Sequence, residues 1–102
     1  MSGGLQTSRG GNGQGGITNY TYNTSGAVDT ITLTQPSNVI TILNQAASGT
    51  IAVDFNGGTP VVGVGNGIDI PAGAGFTWDG VALQSFTLIG SAGSLQVGII
   101  AH

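Results

Sequence analysis

The chain has 102 residues, one domain's worth, and only 5% of them are charged against about 25% in an ordinary soluble domain. Its one cation is Arg9 and its acids are Asp29, Asp54, Asp69 and Asp79, for a formal net charge of −3 and an isoelectric point near 4.1; neutralising several phosphates takes several Lys or Arg, which excludes a nucleic-acid footprint. Cysteine is absent, which removes disulfides, thiolate nucleophiles and Cys-ligated metals, and a mean hydropathy of +0.29 excludes a disordered chain over most of the length.

Residues 1–16 form a low-complexity arm of Gly, Ser, Gln and Asn. Such a segment buries too little apolar surface to offset a backbone ordering cost of about 1–2 kcal/mol per residue. It lacks the apolar stretch of a secretory signal. No apolar run in the chain approaches the roughly 18 residues of a membrane helix, so a membrane is not expected as partner. The expectation is an arm that is mobile alone and orders against a neighbouring chain, by strand addition or similar backbone pairing, with Leu5 and Arg9 as its contacts. Residues 17–102 then make up the folded domain.

From residue 17 the pattern has period two. Tyr20 and Tyr22 alternate with Asn19, Thr21 and Asn23. Ile31 and Leu33 alternate with threonines. Ile40 and Ile42 flank Thr41. Ile51, Val53 and Phe55 alternate with Ala52 and Asp54. Phe76 and Trp78 flank Thr77, Phe86 and Leu88 flank Thr87, and Leu95, Val97 and Ile99 alternate with Gln96 and Gly98. β-Branched and aromatic residues in this alternation suit a pleated, half-buried surface. Turn chemistry separates the runs at Thr24-Ser25-Gly26, at residues 35–38, at Ser48-Gly49, Asn56-Gly57-Gly58, Pro71-Ala72-Gly73 and Asp79-Gly80, and at residues 90–93. A rhythm of about ten residues is that of a sandwich or barrel. The fold class expected is all-β: an antiparallel β-sandwich or jelly-roll-like barrel of seven to eight strands.

Candidate chemistry is sparse. His102 is the only histidine and stands at the chain end, where it lacks the rigid setting that a Ser-His-Asp triad needs. Asp54 lies on the polar face of its strand, Asp79 opens an Asp-Gly turn, and Asp29 and Asp69 border strands; turn and solvated-face roles are favoured over a carboxylate pair or a calcium site. The run Gly63-Val64-Gly65-Asn66-Gly67 has neither the lysine nor the following helix of a phosphate loop. Asn19-Tyr20-Thr21 and Asn23-Thr24-Ser25 match glycosylation acceptors, as a Thr/Asn-rich chain does by chance. Trp78 is more readily core than sugar platform, and Tyr20 and Tyr22, on one face of their strand, suit an interface as well as a core. No enzyme activity, cofactor or metal is expected.

Residues 38–101 resemble the small β-structured virion proteins of tailed phages. The resemblance is carried by the strands at residues 39–44 and 48–55 around an Asn and Ser-Gly turn, the turn at Ile70-Pro71-Ala72-Gly73, the strand Phe76-Thr77-Trp78-Asp79-Gly80, and the closing hairpin at residues 86–100. It implies a capsid decoration, or cement, protein that stabilises a phage capsid by binding across neighbouring subunits. Its implied partners are the major capsid protein or another virion protein, and itself as a homotrimer, and its implied location is the particle surface. The alternative is a carbohydrate- or receptor-binding module of a tail or fibre.

Overall fold

A computed structural model describes the backbone of residues 6–9 and the whole of residues 18–102. The expectations for Leu5 lie outside the described residues, as do those for the side chain of Arg9. The strands are β1 (Gln6–Arg9), β2 (Thr18–Ser25), β3 (Asp29–Asn44), β4 (Thr50–Asp54), β5 (Ile68–Pro71), β6 (Gly75–Gly90) and β7 (Gly93–Ala101), with no helix among the described residues. They form one sheet in the order β1-β2-β7-β3-β6-β4-β5, antiparallel at every pairing. The protein is all-β and sandwich-like, as the alternation predicts.

What turns one sheet into two layers is the β3–β6 ribbon. Each of these strands runs for 16 residues, where about 5–6 is usual. The first part of β3 pairs with the last part of β6, from Asp29↔Leu88 to Thr32↔Ser85, and the remainder pairs from Val39↔Asp79 to Leu43↔Gly75. Between these stretches the register shifts twice, on either side of the pair Ser37↔Leu83. Residues 33–36 of β3 stand against Gln84 alone, and residues 80–82 of β6 stand against Asn38 alone. Opposed bulges of this kind bend both strands and let them pass from one layer to the other. One layer holds β1, β2, β7 and the second part of β3 with the start of β6. The other holds the first part of β3, the end of β6, β4 and β5.

This is a correction to the turn reading of residues 35–38 and of Asp79-Gly80. Both lie inside continuous strands. Pro36 supplies no ladder donor and Gly80 relaxes the backbone, so a bulge suits them as well as a turn. Strand β5 is an addition, since its alternation is confined to Ile68, Asp69 and Ile70.

The core lies between the layers. Tyr20, Ile99 and Ile42 form one cross-strand row and Ala101 and Ile40 the next, all buried. From the other layer come Ile31, Leu33, Ile51, Val53, Ile70, Phe86 and Leu88. Phe55 spans the interior, with its ring centroid 5.4 Å from Phe86, 5.8 Å from Phe76 and 5.2 Å from Trp78. Each buried side chain of this size stabilises the fold by about 1.5–3 kcal/mol.

Two buried polar residues tie the layers' ends. Thr24 Oγ1 accepts a hydrogen bond from Leu95 N at 3.0 Å and donates to Ala92 O at 2.8 Å. A Cβ at Gly90 would sit 2.7 Å from that hydroxyl, so glycine is needed there. Asn44 donates through Nδ2 to Gly49 O and Ile70 O, at 3.1 and 2.9 Å, and accepts from Ala46 N at 3.1 Å.

Candidate interaction surface

The arm is partly accounted for within its own chain. Its residues Gln6–Arg9 run along β2, from Gln6↔Thr21 to Arg9↔Thr18, and make β1 an edge strand of the sheet.

The acids serve the local turns. Asp29 accepts from Ser25 N at 2.9 Å and from Ser25 Oγ at 2.6 Å, closing the β2–β3 turn. Asp54 accepts from Asn56 N at 2.8 Å where the chain leaves β4. Asp69 accepts from Gly63 N at 3.2 and 3.3 Å and so holds the glycine-rich run, whose Val61 and Asn66 face each other across an isolated bridge. Asp79 is exposed on β6. Among the described residues no three of His, Cys, Asp and Glu come together as metal ligands.

His102 is better held than a chain end usually is. Its N–H lies 3.0 Å from both Val39 O and Ser37 Oγ, and its carbonyl accepts from Ser37 Oγ at 2.7 Å. The residue itself remains exposed, at the rim of a polar depression of about 100 Å³ floored by Tyr20, Thr34 and Ser37. Tyr20 is buried and its hydroxyl meets Thr34 Oγ1 at 2.9 Å and Thr34 N at 3.0 Å, while Tyr22 is half-buried against the core. Both tyrosines face inward. Such a depression has the size and polarity to hold a few waters.

A second depression, about 360 Å³, opens between Val53, Asp54, Phe55, Asn56, Ile68 and Trp78. Trp78 is stacked on Phe55 with 25° between the rings, and its Nε1 donates to Val81 O at 3.1 Å. Gly80 lies against the same ring, where a Cβ would come within 3.1 Å. The indole therefore clamps the bulge of β6 to the core, and its polar atom is already used.

The sheet edges were not legible from the sequence. In the first layer, residues 75–79 of β6 pair with β3 on one side, and on the other side no strand pairs with them among the described residues. Asn44 N bonds Ala74 O, and His102 N and Gln45 N bond Val39 O and Gln96 O on the β7 side. Hydrogen-bonded pairs alternate along an antiparallel ladder, so the polar backbone groups of Phe76 and Trp78 face β3, and those of Gly75, Thr77 and Asp79 face outward. The structure thus places Trp78, Phe55 and Asp54 around one depression, with Asp79 exposed next to Trp78 along the β6 edge. His102 stands two strands from Asp79 in the same cross-strand row, with Val39 between them, while Tyr20 and Tyr22 lie three strands away on β2. Compared with family models, with curated proteins and with solved structures, the chain shows no match.

Proposed function

We propose that this chain is a structural virion protein that decorates a phage capsid, binding across neighbouring subunits as a homotrimer and taking no part in catalysis. The observation that carries the reading is a strand-built surface almost without charge, 5% of residues, whose acids Asp29, Asp54 and Asp69 are occupied with turns. Such a surface gains little solubility from charge and suits a protein held in an assembly. The resemblance of residues 38–101 to small phage virion proteins supplies the particular assembly.

The test is addition of the purified protein to undecorated phage capsids, followed by sedimentation and a thermal melt of the particles. Binding at a fixed copy number with a raised capsid melting temperature supports decoration. Protein left in the supernatant, or a strictly monomeric mass with no ordered contact between bound copies, sinks it. Removal of residues 2–16 should leave the domain folded, since β1 only lengthens one edge of the sheet. It should weaken capsid binding if the arm makes contacts there.

A further inference from the structure

The inward rows of the first layer end abruptly at β6. Tyr20, Ile99 and Ile42 are buried, but the next member of their row, Phe76, is half-buried; Ala101 and Ile40 are buried, but Trp78 beside them is half-buried. The backbone groups of Gly75, Thr77 and Asp79 face outward beside these two aromatics. Sheet edges of this kind are ordinarily guarded by lysine, proline or a covering segment. The opposite edge of the other layer has such a guard in Pro71, which ends β5. The β6 edge has one acid, Asp79, and Asp54 lies in the depression that Trp78 also lines.

We propose that the edge of β6 over residues 75–79 is a docking site for an extended strand of a different protein, with apolar residues at alternate positions and a lysine or arginine opposite Asp79. Backbone groups that no strand pairs among the described residues call for a strand, because only a strand presents donors and acceptors at the matching repeat. The half-buried Phe76 and Trp78 call for apolar side chains on its inward face, continuing the two rows. The exposed Asp79 calls for a cation, and this chain has only Arg9 to offer, set among Gln6, Thr7 and Ser8 on a strand without apolar residues. A second copy therefore fits the edge poorly. The site deepens the reading of the chain as a protein that binds virion partners, and its test needs no particle.

The probe is a short capped peptide alternating valine with threonine and lysine, with a second peptide carrying glutamate for lysine. Amide hydrogen exchange of the full chain is followed residue by residue on titration. The expected result is slowed exchange at Gly75, Thr77 and Asp79, with a change in Trp78 fluorescence and weaker binding of the acidic peptide. Asp79→Asn should weaken the lysine peptide by about two- to fivefold, the worth of one exposed charge pair. Thr77→Pro should abolish binding while the fold is kept, since its N–H faces away from β3. Slowing at β5 or nowhere, or equal binding of both peptides, overturns the proposal. So do edge amides that are already slow in the free protein: slowing that grows with protein concentration assigns the edge to a second copy, and slowing independent of concentration to the chain's own remaining segments. The wild-type exchange pattern decides the matter even if Thr77→Pro fails to fold. Loss of capsid binding in the sedimentation test, with peptide docking intact, refutes decoration alone.

Discussion

Thr24 and Asn44 show how much of this fold rests on single polar side chains. Thr24 is 1% exposed and its hydroxyl completes the N–H of Leu95. Thr24→Val keeps the shape and strands that donor, so it should cost about 1–3 kcal/mol, read from urea unfolding. Asn44→Ala should cost more, because it frees the buried carbonyl of Ile70, the part-buried carbonyl of Gly49 and the N–H of Ala46 together; about 3 kcal/mol is expected by the same measurement. Neither role was legible in the sequence. Thr24 reads as the start of a turn but belongs to β2, Asn44 reads as an ordinary strand end, and their partners lie up to 71 positions away. Trp78 was partly legible: its apolar bulk predicts a core contact, and it stacks on Phe55. Its bond to Val81 O arises only because the bulge folds residues 80–82 back toward the ring.

At the scale of elements, the β3–β6 ribbon decides the architecture. Ser37 sits at its corner, 3% exposed, bridging the end of β7 to β3 through His102. Ser37→Ala should cost about 1 kcal/mol, since the N–H of His102 keeps Val39 O as acceptor. Exchange of the amides at the end of β7 should quicken more than that of the β4 amides. Phe86 lies past the corner, fully buried, with Phe55 against it. Phe86→Ala should destabilise by about 3–5 kcal/mol in a chemical melt, the cost of a large cavity between layers. Strands β2, β3, β4, β6 and β7 followed from alternation, at the expected positions, and β5 did not. Their continuity through Pro36 and Gly80 did not, because local sequence marks a break in the ladder without saying whether the chain reverses or bends.

For the whole molecule, attraction between opposite charges should contribute little to stability. Among the described residues no ion pair is present, and the acids bond to backbone or hydroxyl groups. Raising salt from about 10 mM to about 0.5 M removes most screening-sensitive interactions. The melting temperature should therefore not fall over that range, and a drop of several degrees by calorimetry would contradict this account. Binding at the β6 edge should weaken over the same range, because Asp79 there faces solvent. Stability and partner recognition thus separate experimentally.

Local sequence is enough for the all-β class, most strand positions and most of the inward residues. Period-two patterning, turn residues and composition are local properties, and each strand carries its own record of which face is buried. Which strand lies beside which, where the ribbon changes layers, and which backbone row has no partner among the described residues emerge only from the assembled sheet. Those are matters of register between segments far apart in the chain. Phe76 and Trp78 read as ordinary core residues until the sheet order puts them last in their rows.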